Sequence, residues 1–163
     1  MGNLLKTPGI VTAIAFAAFA PGAKAQETGH EICRSIGGFT PEQLGDREHH
    51  ALAINQESCQ TTEGPTAGSV SNDITVMEWD GWRAKELSGF GVGRAPGATI
   101  EFQDLDGQVE VTQADGKPTG WTATGHSLVT LATGPWAPLK GRTISWTAKP
   151  TGPNVSELDY TWK

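Results

Sequence analysis

The sequence predicts an all-β protein: an antiparallel eight-stranded meander barrel, preceded by a short helix and held by one disulfide. Three observations carry that prediction. From Ala51 onward short runs alternate polar and apolar residues with a period of two. Glycine, proline and Asp-Gly pairs punctuate those runs. No stretch of helical period is long enough to cover a sheet or to serve as a parallel crossover, so antiparallel neighbours are expected. A β-sandwich made from the same strands is the alternative architecture.

Taken in order, residues 1–25 read as an address rather than as structure. Lys6 precedes a run from Gly9 to Ala20 of Gly, Ile, Val, Thr, Ala and Phe only, followed by Pro21-Gly22 and the small-x-small triplet Ala23-Lys24-Ala25. That order matches a secretory signal with cleavage before Gln26, and the run is too short for a membrane span of roughly 20 residues. A secreted or periplasmic protein without a membrane anchor in its mature form is expected. Export would place Cys33 and Cys59 in an oxidising compartment, where a disulfide is the expectation. No Cys-x-x-Cys or ligand cluster nominates a metal site, and no motif nominates a cofactor.

Residues 26–50 are polar and turn-rich, with one helix signature: Thr40 as N-cap, Pro41 in the first turn, Gln43 three residues after the cap, and Gly45 as a stop. The barrel domain is expected over 51–163. Its eight runs are approximately His50–Thr61, Ser69–Asp80, Trp82–Arg94, Ala98–Leu105, Gln108–Gln113, Thr119–Thr133, Arg142–Lys149 and Ser156–Trp162. Asp80-Gly81, Asp106-Gly107 and Asp115-Gly116 mark hairpins, while Gly64-Pro65, Pro96-Gly97, Gly134-Pro135 and Gly152-Pro153 suit longer loops.

Alternation assigns the buried face. Ile100 with Phe102, Val109 with Val111, Ile144 with Trp146 and Ala148, and Leu158 with Tyr160 and Trp162 each share a parity. On the same logic Leu52 and Ile54 put His50 inside, and Ile74 and Val76 put Glu78 inside. Gly89, Gly91 and Gly93 leave one face of the third run without side chains, which marks a barrel bend or a close approach by a ligand.

Composition narrows the partners. The chain carries 18 acidic and 12 basic side chains, and residues 1–25 hold two of the bases and no acid. A surface with that acidic excess lacks the basic stripe that nucleic acid requires. No complete catalytic motif is present. His50 and His126 are candidate bases, with a hydrogen-bonded or rim histidine as the competing role. Asp104 and Glu78 are candidate inward acids, with solvation at a barrel mouth as the competing role. Trp79 and Trp82 flank the Asp80-Gly81 turn and Trp136 follows Gly134-Pro135, so these three read as partly exposed, either around an apolar pocket or as a sugar-stacking platform.

The glycine-flanked stretch Gly125-His126-Ser127-Leu128-Val129-Thr130-Leu131-Ala132-Thr133-Gly134 resembles strands of eight-stranded ligand barrels of the dirigent and allene-oxide-cyclase type. The resemblance covers about a tenth of the chain and implies a barrel of lipocalin-like or dirigent-like shape; no functional residue follows from it. The expected function is an exported barrel binding a small, largely apolar molecule, with Trp79, Trp82, Trp136, Gly89, Gly91 and Gly93 around the ligand. The alternatives are a carbohydrate-binding module that stacks a saccharide on the three tryptophans, and a barrel cyclase, isomerase or hydrolase.

Overall fold

A computed structural model of the chain describes residues 27–37 and 39–163, so the expected signal segment lies outside the described residues. Nine strands form one sheet: β1 (Thr28–Ser35), β2 (Glu42–Gln43), β3 (His50–Glu63), β4 (Val70–Asp80), β5 (Arg83–Ala95), β6 (Ala98–Ala114), β7 (Lys117–Ala132), β8 (Thr143–Gly152) and β9 (Val155–Trp162). From β3 to β9 each strand pairs antiparallel with the next. β1 then pairs with β9 along Thr28–Arg34 and with β3 along His30–Ser35, which closes an eight-stranded barrel and excludes the sandwich. The two-residue β2 is the extra strand. It lies on the part of the β3 edge that β1 leaves free, pairing Glu42 with Leu52 and Gln43 with Ala51.

The Cys33–Cys59 disulfide joins residues that face each other directly across β1 and β3. Both cysteines are buried. The bond therefore fastens the seam at which the barrel closes, and this is the one pairing in the barrel between strands distant in sequence apart from β1–β9.

Two hairpins show how local chemistry sets the meander. At Asp115-Gly116 both central residues have positive φ, 51° and 70°, as a type I′ turn between Ala114 and Lys117 requires. Pro96-Gly97 is also a two-residue turn, with Ala95 paired to Ala98 and Gly97 at φ 75°, rather than the longer loop expected there.

Other expectations need correction. Asp106-Gly107 does not turn. It lies inside the long strand β6, which runs through both the fourth and the fifth expected runs and shifts register between Asp104 and Asp106. Gly107 is where β6 passes close to β5, because a Cβ there would meet the Glu86 side chain. Eight barrel strands are present all the same, since β1 supplies the eighth from the segment the sequence reading set apart. The helix expected after Thr40 is absent as well. Glu42 and Gln43 are extended, because the open edge of β3 offers ladder hydrogen bonds to a segment that buries little of its own. A 3-10 helix, Gly134–Leu139, is the helical element among the described residues.

That 3-10 helix plugs one end of the barrel. Trp136 and Leu139 are buried against Ile100, Val129, Tyr160 and Trp162. The Tyr160 ring crosses edge-on to Trp162, with centroids 5.9 Å apart, and its hydroxyl hydrogen-bonds the Thr66 hydroxyl at 3.0 Å on the β3–β4 loop. The opposite end, formed by the β4–β5, β6–β7 and β8–β9 turns and the segment around Phe39, carries no such plug.

Candidate functional site

The barrel encloses a cavity of about 880 Å³ that reaches from the Tyr160–Trp162 plug to the open end. That volume falls in the range of small-molecule sites, roughly 300–1,000 Å³. Its lining separates into three levels. At the closed end lie Ile100, Leu158, Tyr160 and Trp162. Around the middle lie Glu57, Asp73, Thr75, Glu86, Phe102 and Asp104, with Trp146 beside them on β8. At the mouth stand Phe39, Trp79, Trp82 and Trp121. Phe39 and Trp79 meet edge to face at 5.5 Å, while Trp82 and Phe39 remain about half exposed.

The acids define the site. Glu31, Glu57, Asp73, Glu86 and Asp104, from five adjacent strands, all line the cavity, and among the described residues no lysine or arginine lines it. Burial pushes the Asp73 carboxyl up to about 8, and the neighbouring charge of Glu31 adds to the push. The Ser71 hydroxyl, donating to Asp73 Oδ2 at 3.0 Å, offsets only part of it. Glu86 is raised well above the usual carboxylate range, by burial first and then by Asp104. Glu31 and Glu57 are also raised by burial. The Thr61 hydroxyl donates to Glu31 at 2.8 Å, and Asp104 accepts from Ser127, whose hydroxyl in turn accepts from the Trp146 indole at 3.0 Å. Asp73 Oδ1 is buried and has no partner, and Glu86 Oε1, which no hydroxyl or N–H reaches, lies against the Asp104 carboxyl.

The glycine stripe explains how so many acids fit. Gly89, Gly91 and Gly93 face the interior, and the volume a side chain would fill is taken by neighbours. A Cβ on Gly89 would run into Asp104 and Glu86, one on Gly91 into Phe102 and Asp73, and one on Gly93 would press on Ile100. These three glycines therefore leave room for the side chains of the cavity wall.

The remaining expected site residues fall into two groups. Asp104 points inward as expected, and Trp79 and Trp82 stand at the mouth. Trp136 is buried in the plug at the other end, so the three tryptophans share no surface and the flat saccharide platform does not form. His50 is not in the cavity. On β3 and β4 the inward positions are Ala51, Asn55, Glu57, Cys59, Ser71, Asp73, Thr75, Met77 and Trp79, which turns Leu52, Ile54, Val76, Glu78 and His50 outward. His50 is nevertheless buried, clamped on the outer wall with Nδ1 2.5 Å from Asp46 and Nε2 2.7 Å from Glu78. Both carboxylates hold its imidazole above the usual histidine range. His126 is exposed on the outer wall, 2.8 Å from Asp106. Each imidazole thus has its own carboxylate partner outside the barrel, and the histidine–acid constellation of a hydrolase is not assembled in the lumen. Arg83, a possible counter-charge for inward acids, pairs instead with Glu110 on the outside at 3.4 Å.

Four lumen acids, Glu31, Glu57, Asp73 and Glu86, were not singled out from sequence, nor was Trp121. The usable signal was the glycine stripe, because an inward face without side chains has to be filled from the strands beside it. The one group of side chains among the described residues with metal-ligand spacing, Glu31 with Cys33 and Cys59, has both sulfurs committed to the disulfide. No protein-family model matches the chain, and no curated protein matches it significantly.

Proposed function

We propose that this protein is an exported binding barrel that carries a small molecule with a substantial apolar body in its lumen. The cavity of about 880 Å³, closed by the plug and open at an aromatic mouth, is the observation that supports the reading. Phe102, Met77, Trp79 and Trp146 offer the apolar contact, and Trp82 and Trp121 flank the entrance. The lumen is not packed solid, which is what a barrel serving only as a scaffold would show. The leader-like residues 1–25 and the disulfide are both compatible with export.

The test is displacement of an environment-sensitive dye from the purified mature protein, compared with Thr75→Trp. That substitution places an indole in the lumen at a side chain whose hydroxyl has no partner. Dye uptake by the wild type, reversed by apolar competitors and weakened at least tenfold in a folded T75W variant, supports the reading. Equal uptake by both proteins locates the dye on the outer wall and overturns it.

A further inference from the structure

We propose that the lumen selects an organic cation: an ammonium group seated among Asp73, Glu86 and Asp104, with an aromatic or aliphatic body lying against Phe102, Trp79 and Trp146. The inference rests on the binding reading above and adds the charge of the ligand to it.

Four observations converge. Among the described residues no lysine or arginine lines the cavity, and its one histidine, His49, lies 3.3 Å from Glu48 instead of among the acids in the middle. One acceptor atom of those acids, Asp73 Oδ1, is buried and unpaired, and Glu86 Oε1 has only the neighbouring Asp104 carboxyl to share a proton with; a buried acceptor is costly unless a donor arrives or a proton stays. Glu86 Oε1 and Asp104 Oδ2 both crowd the space above Gly89, which brings the two carboxyls close enough together for one donor on the lumen side to reach both. Independently of the acids, Trp162, 3% exposed and lining the closed end, has an indole N–H without an acceptor. The lumen thus leaves both acceptors and a deep donor unmatched, as a site built for a ligand with a cationic group and a distal acceptor would. The aromatic rings of Trp79, Trp146 and Phe102 line the same cavity, and cation–π attraction is open to an ammonium there and not to a neutral or anionic head.

The charge balance can be followed explicitly. Glu86 on β5, raised by burial and by Asp104, keeps its proton at neutral pH, and in the free barrel the Asp73 carboxyl holds one as well, because burial disfavours its charge and Glu31, Glu57 and Asp104 add to the push from β1, β3 and β6. When an ammonium enters, that proton leaves to the buffer and the carboxylate formed pairs with the cation. The lumen charge is unchanged and one proton is released for each ligand bound. Affinity for the cation therefore rises with pH up to the carboxyl's own range.

The test uses three probes with one body and different heads: 2-(6-methoxy-2-naphthyl)ethylammonium, 2-(6-methoxy-2-naphthyl)ethanol and 3-(6-methoxy-2-naphthyl)propanoate. Each is titrated calorimetrically into the mature protein at pH 6.5 in two buffers of different ionisation enthalpy. The expected result is an ammonium Kd at least tenfold below that of the alcohol, weakest binding by the propanoate, and proton release with the ammonium alone. Asp73→Asn and Glu86→Gln should narrow the ammonium-to-alcohol ratio at least fivefold. Binding of the alcohol as tight as the ammonium, or a preference for the propanoate, keeps the binding reading and overturns this one. Failure of all three heads, together with failure of the dye, removes the binding reading itself.

Discussion

Replacing Asp73 by Asn should make the ligand-free protein less sensitive to alkaline pH, and the size of the effect can be worked out. The carboxyl is held at about 8 against an ordinary value of 3.8, so over that interval the folded protein keeps a proton that the unfolded chain gives up. A folded-state value above the unfolded one contributes stability that is fully present below about pH 4 and is lost as pH rises through about 8. At 1.36 kcal/mol per unit the ceiling is roughly 5–6 kcal/mol. Asp73 is only half-buried, with the rest of its surface on the cavity, and lumen water screens it. We therefore expect about 1–3 kcal/mol in practice. Asn occupies the same volume and has no proton to lose. Urea unfolding at pH 5 and pH 8.5 should show the wild type losing about 1–3 kcal/mol more than D73N across that interval, or roughly 3–10 °C of Tm in a domain of this size. Parallel pH profiles for the two proteins would refute the assignment of a buried, protonated carboxyl to this position.

The other predictions concern how the barrel is held together. Reducing Cys33–Cys59, or making the Cys33→Ser/Cys59→Ser pair, should cost about 3–4 kcal/mol in urea unfolding, because the bond ties residues 26 apart at the closing seam; a loss below about 1 kcal/mol would mean that the β1–β3 ladder closes the barrel unaided. Gly91→Ala should destabilise by about 1–3 kcal/mol, since the new Cβ meets the Phe102 ring and Asp73; the usual gain from Gly→Ala, about 0.4–1 kcal/mol, would show instead that the wall yields. His50→Gln should expose residues 42–49 to faster amide exchange, because the imidazole bridges Asp46 to Glu78. In the wild type, protection of that segment is complete below about pH 6.5 and lost as pH rises through the raised value of His50; exchange that is pH-independent after correction for intrinsic rates would dismiss the clamp.

How much of this was legible in sequence depended on which part of the wall was being read. The turns at Asp80-Gly81 and Asp115-Gly116, the antiparallel order and the inward faces of β6, β8 and β9 followed from local pattern, because those strands put Ile100, Trp146 and Tyr160 inside and Glu101, Ser145 and Asp159 outside, as an apolar interior demands. On β3 and β4 the same rule pointed the wrong way. Alternation shows that two faces differ, and only an assumption about the interior says which face is which. Here Ile54 and Ile74 are 59% and 41% exposed on the outer wall, while Asn55, Glu57, Asp73 and Thr75 line the cavity. A one-residue parity choice moves a whole side-chain set, so the mistaken polarity of the lumen carried His50 and Glu78 inward and left Glu57 and Asp73 unseen.

The closing strand was hidden for a related reason. β1 reads Thr-Gly-His-Glu-Ile-Cys-Arg-Ser, with its single large aliphatic residue, Ile32, facing out and with Glu31 and Cys33 facing in. A strand that buries so little apolar surface sends no periodic signal, and its place is fixed by partners remote in sequence, β9 on one edge and β3 on the other, with the disulfide between the latter pair. The same features that made the site hard to see also define its chemistry. A barrel that turns isoleucine outward on three strands and carboxylates inward on five gives up part of its hydrophobic core and takes on the cost of desolvating those carboxylates. Protons on Asp73 and Glu86 relieve that cost in the free barrel, so the pH dependence of folding and that of the proposed ammonium binding would report one electrostatic imbalance.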